Sequence, residues 1–311
     1  MNNTNFLILV SSTLLTFLTL KISIPYLNKF FIDKPNLRSS HNKPKARAGG
    51  IVFVIYGSLY CFFQNLYIPL ICLPLAVVGL IDDRFNLSSK IRFFSQILTV
   101  FALFRFSNLN VYFNNQLFEI SIIIILFISG LAIINFTNFM DGIDGIVSAC
   151  MLIILSVSTI EISTSLFPMI GVLIGFLILN WSPAKVFMGD VGSTFLGALF
   201  FGILLQANSW EQFFGCLLVS TPLFGDALIC VLRRFFNKEN IFQPHSSHLY
   251  QRLFKAGLKH DQVTVIYSSA IFLISSGWLI GGIKYVLILT TLVISFGIWL
   301  DQKIAIPFKQ K

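Results

Sequence analysis

Residues 119–145 read EISIIIILFISGLAIINFTNFMDGIDG, an almost wholly apolar run followed at once by asparagine, aspartate and glycine. An apolar helix of about 20 residues is long enough to cross the hydrocarbon core of a bilayer. In hydrocarbon every backbone polar group must be paired within the segment, so a run of this length favours a helix. The stretch therefore predicts a membrane-spanning helix that ends in a polar segment.

The same pattern recurs along the chain. Of its 311 residues, 56% are hydrophobic and 11% are charged, with a mean hydropathy of +0.82, whereas a soluble domain has about 25% charged residues. This composition argues against a nucleic-acid-binding protein and a secreted disulfide scaffold. We predict one all-α domain, residues 1–311, a polytopic membrane helical bundle with about eleven transmembrane helices. The predicted spans are 4–26, 49–64, 67–81, 93–107, 119–137, 143–160, 165–181, 191–207, 212–232, 263–281 and 284–300.

The basic residues predict how the bundle lies in the membrane. Of the 22 Lys and Arg residues, 19 fall in alternate loops and in the C-terminal tail. Because loops rich in Lys and Arg face the cytoplasm, the C-terminus is predicted inside and, with an odd number of spans, the N-terminus outside. Ten of the 13 acidic residues lie at the same face. Acidic residues contribute little to topology, so their concentration needs another explanation.

The cysteines indicate neither a disulfide nor a zinc site. All of them lie in apolar stretches, without a CxxC or Cys/His spacing: Cys61, Cys72, Cys150, Cys216 and Cys230. We interpret them as small buried hydrophobic residues.

Two acidic motifs lie at the predicted inner face. Asp82 and Asp83 follow the third apolar stretch, where the partial negative charge of a helix C-terminus disfavours a carboxylate pair. A second set recurs every three residues and would form one polar stripe on a helix: Asn135, Asn138, Asp141 and Asp144. A solvated cap and a turn rich in Asn, Asp and Gly are the structural alternatives. Polar residues at this depth are costly and usually line a functional cavity.

Two further segments belong to the same face. Asp190 lies near the start of the eighth stretch, where a carboxylate is favoured, so it is either a helix cap or a ligand. The loop 233–262 is basic and contains His245 and His248. Two histidines three residues apart could bind a metal, but a loop dense in Arg, Lys and His fits a phosphate cradle better. A solvated loop that only sets topology is the alternative.

Together, these segments would place five carboxylates in one pocket: Asp82, Asp83, Asp141, Asp144 and Asp190. Because like charges repel, a divalent cation bound between the carboxylates is the simplest way to stabilise such a pocket. Oxygen ligands favour Mg²⁺ or Mn²⁺ over zinc. An acid-bound metal beside basic loops is what phosphoryl transfer requires.

The four motifs occur in the order found in the polyprenyl-phosphate N-acetylhexosamine-1-phosphate transferase family, and the resemblance covers roughly residues 35–255. Asp82-Asp83 resembles the DD motif of the family, and residues 135–145 resemble its NxxNxxDGxDG motif. Residues 188–193 resemble xMGDxGS, and residues 245–252 resemble the histidine loop. The stretch from Arg38 through His41 to Gly50 resembles RSSH…PxxRxGG, although Ala48 stands where the family often has a third glycine.

The resemblance implies an all-helical transferase that moves a sugar 1-phosphate from a UDP-sugar to undecaprenyl phosphate, releasing UMP. By the motifs, Asn138 and Asp190 would hold Mg²⁺, and Asp82 or Asp83 would position or deprotonate the lipid phosphate. Asp141 and Asp144 are also expected among the catalytic residues. The residues expected to bind substrate are Arg47, Lys90, Arg92, Asn135, His245, His248 and Arg252.

The resemblance also implies a location and partners. We expect a multi-pass protein of the bacterial inner membrane with its active site facing the cytoplasm and with no nucleic-acid partner; a homodimer is compatible with this. The loop HSSHLYQR resembles the branch that initiates O-antigen or capsule chains with 6-deoxy-N-acetylhexosamines more than the UDP-GlcNAc-specific HIHH type. The alternatives are the phospho-MurNAc-pentapeptide transferase of peptidoglycan synthesis and, from another class, a cation-coupled transporter.

Overall fold

The computed structural model describes residues 3–35, 40, 43–109, 116–240, 243 and 245–308. These residues form twelve α-helices, one short 3-10 turn (Thr164–Leu166) and a pair of antiparallel two-residue strands. The first elements are α1 (Asn3–Phe30), β1 (Ile32–Asp33), β2 (Lys45–Ala46), α2 (Gly50–Phe63), α3 (Ile68–Phe85), α4 (Ser89–Phe104) and α5 (Gln116–Phe139). They are followed by α6 (Ile146–Glu161), α7 (Phe167–Asn180), α8 (Gly189–Leu204), α9 (Trp210–Val219), α10 (Thr221–Phe236), α11 (Leu249–Lys255) and α12 (His260–Lys303).

The helices fall on the apolar stretches of the sequence, and the prediction of an all-α membrane protein is confirmed at that level. Three described helices are long and apolar enough to cross a membrane by themselves, namely α1, α5 and α12. The pair α9 and α10, bent by 76°, would make a fourth span. Four other apolar segments are shorter than 18 residues, so the count of eleven spans and the orientation of the termini stay predictions.

Helix α12 is a helical hairpin. A straight helix of 44 residues would be roughly 66 Å long, about twice the thickness of the hydrocarbon core. At Gly282 the backbone has φ 62° and ψ −157°, a conformation that is essentially restricted to glycine. Gly277 packs against the side chain of Leu289, so the chain folds back at this point. The hairpin accounts for the two predicted spans 263–281 and 284–300.

Helix α8 is the centre of the bundle. Every side chain from Val191 to Leu204 is buried, and the helix packs mainly against α3 and α5. Where α3 crosses the start of α8, a Cβ atom at Gly79 would lie 2.7 Å from the backbone carbonyl of Asp190. Because no side chain separates the two backbones there, the end of α3 lies against the start of α8, which places Asp82 and Asp83 near Asp190.

The periphery of the bundle is apolar. Large side chains project outward from several helices, among them Phe101 of α4, Leu117 of α5 and Ile280 of α12, each more than 70% exposed. Exposed apolar side chains of this size are expected where helices face lipid. As predicted, all five cysteines are buried and free.

Candidate active site

The segment between β2 and α2 holds the first basic residue of the site. Its backbone pairs with the segment before α8: Phe187 N–H donates to Ala46 O (2.8 Å), and Gly49 and Gly50 donate to the carbonyls of Phe187 and Met188 (2.9 and 3.0 Å). This pairing brings Arg47 to the start of α8.

Asp83 anchors the N-terminus of α8. Its Oδ1 accepts the backbone N–H of Asp190 (2.9 Å) and lies 2.8 Å from Arg47 Nε, while its Oδ2 accepts the N–H of Val191 (3.2 Å). The first N–H groups of a helix have no partner within the helix, so a carboxylate at this end is stabilising. Gly189, with φ +71°, lies so close to Asp83 that a Cβ atom would overlap the carboxylate. The contacts of the Asp83 carboxylate therefore join the end of α3 to the start of α8 and to Arg47.

Asp190 is the point where four segments of the chain meet. Its Oδ1 accepts hydrogen bonds from Arg47 Nη2 (2.8 Å) and Asn138 Nδ2 (3.1 Å), and its Oδ2 lies 3.7 Å from Arg92 Nη1. The same Arg92 nitrogen donates to Asp82 Oδ2 at 3.0 Å. The other oxygen of Asp82 accepts the N–H of Leu87 (2.6 Å). The structure thus brings Arg47, Asp82, Arg92 and Asn138 to one carboxylate.

Asp141 lies beside this cluster, in the short segment that links α5 to α6. Its side chain is half-buried, and within the described chain its carboxyl group has neither a hydrogen bond nor an ion pair. Burial, together with the nearby carboxylate of Asp190, raises the pKa of Asp141 to about 8. The raised pKa favours the neutral form of this carboxyl, and a cation that approached it would favour the charged form.

Asp144 has a different environment, although it belongs to the same motif. Its Oδ2 accepts the N–H of Ala184 (2.9 Å) and lies 3.3 Å from Lys45 Nζ and 3.4 Å from His260 Nδ1. Burial alone would raise the pKa of this carboxyl, but its contacts with His260, Ala184 and Lys45 lower the pKa to about 2. Asp144 is therefore ionised, and its contacts join β2, the turn 182–186 and the start of α12.

Two of the expected substrate-binding residues lie away from the carboxylates. Asn135 is one helical turn before Asn138 and exchanges hydrogen bonds with Gln96 of α4 (2.8 and 3.2 Å). It joins α5 to α4 within the bundle. Lys90, in the first turn of α4, is exposed.

The histidine loop packs against the end of α5 through Tyr250. The Tyr250 hydroxyl donates to the carbonyl of Phe139 (3.0 Å), and the Tyr250 ring stacks on the ring of His248 with centroids 5.8 Å apart. Burial, and the proximity of Arg234, lower the pKa of His248 to about 4. Burial and the neighbouring imidazole of His248 lower the pKa of His245 to about 4. Both rings are neutral at pH 7.

Arg252 points away from the carboxylates. It is 3% exposed, pairs with Asp301 of α12 and donates to the carbonyl of Ile306 (2.8 Å). The structure therefore assigns it to the attachment of α11 to the end of α12 and does not bring it to the acidic cluster. Arg38 and His41, which the motif resemblance also includes, lie outside the described residues.

Asp226 is a residue of this region that the sequence analysis missed. It lies in α10 and accepts the N–H groups of Leu249 (2.7 Å) and Tyr250 (3.1 Å) and the hydroxyl of Tyr267 (2.7 Å). It thereby holds the first turn of α11 on α10. A single acid inside the apolar stretch 212–232 was the available signal, since ionisable residues in such stretches usually have a specific partner.

The donor atoms at the cluster suit a hard divalent cation. Asn138 uses its Nδ2 for Asp190 and for Ser193 Oγ (2.9 Å), which leaves Oδ1 as its ligand atom. Asp190 and the unpaired carboxyl of Asp141 supply further oxygens. An all-oxygen set of this kind fits Mg²⁺ or Mn²⁺, so the residues fit the expected metal.

The sequence of the chain is similar to those of known proteins. Residues 65–208 match the glycosyl transferase family 4. A Bacillus subtilis (strain 168) protein named probable undecaprenyl-phosphate N-acetylglucosaminyl 1-phosphate transferase is 29% identical over 296 residues, which cover 83% of this chain and 81% of the relative. Undecaprenyl-phosphate alpha-N-acetylglucosaminyl 1-phosphate transferases of Yersinia pestis and Thermotoga maritima are 31% and 30% identical. Those alignments cover 80% and 76% of this chain, and 76% and 78% of the two relatives.

Proposed function

Because the chain belongs to the glycosyl transferase family 4 of polyprenyl-phosphate N-acetylhexosamine-1-phosphate transferases, we propose that it moves an N-acetylhexosamine 1-phosphate from a UDP-sugar to undecaprenyl phosphate. The observation that carries this proposal is the convergence on Asp190 of Arg47, Arg92 and Asn138, with Asp82 and Asp83 alongside. The names of the relatives support the acceptor and the type of donor.

In the proposed reaction, an oxygen of the lipid phosphate attacks the β-phosphorus of the UDP-sugar. The bond from that phosphorus to the bridging oxygen breaks, and the bridging oxygen leaves with UMP. The product is a lipid-linked sugar diphosphate. The guanidinium groups of Arg47 and Arg92 both lie at the Asp190 carboxylate. There they could stabilise the negative charge that develops on the phosphate oxygens.

We propose Asn138, Asp190 and Asp141 as the residues that hold Mg²⁺. When bound, the ion would neutralise charge on the diphosphate of the donor. The unpaired carboxyl of Asp141 supports this assignment, because an acid that is partly removed from water and has no partner is costly unless a cation joins it.

Asp82 and Asp83 are proposed to position other groups, and neither is proposed as a general base. A phosphate monoester has its second pKa near 6, so the lipid phosphate is mostly dianionic at pH 7 and needs little help from a base. In addition, the oxygens of Asp83 are engaged by backbone N–H groups and by Arg47, and those of Asp82 by Leu87 and Arg92.

A panel of UDP-sugars, each tested as the donor, would identify the sugar that the protein transfers. The names of the relatives support N-acetylglucosamine, whereas the HSSHLYQR loop underlies our prediction that a 6-deoxy-N-acetylhexosamine is the better donor. A clear preference for UDP-GlcNAc in the panel would overturn the 6-deoxy prediction and leave the reaction class unchanged. Use of UDP-MurNAc-pentapeptide would assign the chain to the peptidoglycan branch.

The test is UMP release by the purified protein in detergent, with undecaprenyl phosphate, a UDP-sugar and a titration of Mg²⁺. We expect release that depends on all three components, and omission of the lipid phosphate is the control. Absence of release with every donor in the panel would refute the transferase proposal. The alternative would then be a cation-coupled transporter. The acids cluster at the ends of α3 and α5 and the start of α8, and this placement does not support transport.

A further inference from the structure

A second cluster of side chains that could bind a metal lies between α10 and the histidine loop, apart from the carboxylates around Asp190. One ligand atom each from Cys230, His245 and His248 lies within 4.8 Å of the other two. Cys230 and His248 are buried, each 2% exposed, and His245 is half-buried. The two imidazole rings have centroids 4.8 Å apart. We propose that these three side chains form a binding site for a transition-metal ion of the zinc type.

Described residues before and after the two histidines contact one face of α10 on both sides of Cys230. Asp226, one turn before Cys230, accepts the N–H groups of Leu249 and Tyr250. Arg234, one turn after it, donates to the carbonyls of Asn240 (2.6 Å) and Gln243 (3.0 Å). Residues four apart on a helix share a face. The fold therefore holds His245 and His248 over Cys230 without any contribution from a metal.

The side chain of His248 has the surroundings of a metal ligand. The Nδ1 of His248 is enclosed and, among the described residues, has no hydrogen-bond partner. The nearest acidic oxygen is Asp226 Oδ1 at 3.9 Å. In metal sites a ligating imidazole commonly turns its second nitrogen toward a carboxylate, which orients the ring. His248 has such a carboxylate on the side of α10.

The donor set selects the class of metal. One thiolate and two neutral imidazoles suit Zn²⁺ or Co²⁺ and not the hard cations Mg²⁺ and Ca²⁺. Three protein ligands leave a fourth position for water. A tetrahedral ion with bonds of about 2.0–2.3 Å holds its ligand atoms roughly 3.3–3.8 Å apart, so small side-chain rotations would close the site. Arg234, one of the arginines beside the cluster, is paired with Glu239 (Nε to Oε2, 3.1 Å).

Binding would release the thiol proton of Cys230 to solvent, because only the thiolate coordinates the ion. The experiment titrates Co²⁺ into protein purified in detergent without a polyhistidine tag. With Mg²⁺ in large excess to fill the carboxylate site of the proposed transferase, we expect one Co²⁺ per chain, with the visible bands of a four-coordinate ion and a thiolate charge-transfer band in the near ultraviolet. Zn²⁺ should abolish both signals, and further Mg²⁺ should leave them unchanged.

The matched variants are Cys230→Ser and Cys216→Ser, since Cys216 is buried in α9 outside the cluster. We expect Cys230→Ser to lose the charge-transfer band and to bind Co²⁺ at least tenfold more weakly, and Cys216→Ser to match the wild type. A wild-type protein without the band, or a band that survives in Cys230→Ser, would overturn the site.

A third variant covers the case in which Cys230→Ser does not fold. His245→Gln changes a half-buried loop residue, and a Co²⁺ affinity equal to that of the wild type would then overturn the proposal. The metal readout does not depend on turnover, so failure of this site and failure of the proposed transferase activity are distinguishable.

Discussion

Asp190 contacts more of the other candidate site residues than any other side chain in the cluster, since it accepts from Arg47 and Asn138 and lies near Arg92. Asn in its place would keep the size of the side chain but lose the charge. We expect Asp190→Asn to lower the rate of UMP release by roughly 100- to 1,000-fold, the range seen when a key electrostatic group is removed. Asp82→Asn should cost less, because Asp82 holds Leu87 and Arg92.

The control for Asp190→Asn is Glu211→Gln, which alters an acid at the start of α9. That variant should retain wild-type turnover. Near wild-type turnover of Asp190→Asn at saturating Mg²⁺ would contradict the role assigned to Asp190.

The raised pKa of Asp141 predicts that the stability of the protein depends on pH. Its pKa is about 8 in the folded protein against an ordinary value of 3.8, so the folded state binds the proton more tightly than the unfolded state. Stability therefore falls as pH rises between these two values. Asn cannot ionise, so the stability of Asp141→Asn should not fall in this way. Without Mg²⁺, the Tm of Asp141→Asn minus that of the wild type should increase from pH 5 to pH 8 and then level off.

Thermal unfolding across this pH range measures the effect, with Glu119→Gln as a variant expected to parallel the wild type. Mg²⁺ should raise the Tm of the wild type and should raise that of Asp141→Asn much less, because a ligand stabilises only the state that binds it. An advantage of Asp141→Asn that does not change with pH would contradict the raised pKa.

At the scale of the element, α12 depends on one backbone conformation. Nothing lies within 4 Å of a Cβ atom added at Gly282, so the cost of a side chain there is purely conformational. We expect Gly282→Ala to destabilise the protein by about 1–3 kcal/mol, the cost of a residue held in a strained backbone region. Thermal unfolding in detergent would measure it as a lower Tm.

Gly297→Ala is the comparison in the same helix, since that position is equally open and has helical backbone geometry. There, alanine should be neutral or slightly stabilising, because alanine has the higher helix propensity. Equal Tm values for the two variants would show that the hairpin does not require glycine.

The elements also show where hydropathy alone was insufficient. The ninth apolar stretch is two helices, α9 and α10, joined at Ser220 with a bend of 76°. The bend lets the face of α10 that bears Asp226, Cys230 and Arg234 meet the histidine loop. A hydropathy profile records the apolar run but not the change of direction, because it contains no information on packing.

At the scale of the whole molecule, the orientation in the membrane can be tested with single cysteines. The native cysteines are all buried, so they should react little with an impermeant thiol reagent. Lys185 and Asn208 are exposed and flank α8 at its two ends. The distribution of Lys and Arg predicts that Lys185→Cys is protected in intact cells and that Asn208→Cys is labelled. The reverse pattern would invert the predicted topology.

The amino-acid sequence alone was sufficient to identify a helical membrane protein and the order in which its polar motifs follow one another. That information is local, because burying a peptide backbone in hydrocarbon requires paired N–H and C=O groups whatever the neighbouring helices do. The order of the motifs was enough to identify the family. Hydropathy also located the stretches that became α5, α8 and the two arms of α12.

Which partner each polar side chain has depends, in contrast, on the packing of the folded chain. Asp82 and Asp83 are adjacent in sequence, yet one holds Arg92 and the other caps α8. Arg252 belongs to a basic loop but pairs with Asp301, and Cys230 meets two histidines whose spacing from it suggested nothing. These outcomes depend on how helices distant in the chain cross, because a buried charge or donor takes the partner that packing brings within hydrogen-bond reach.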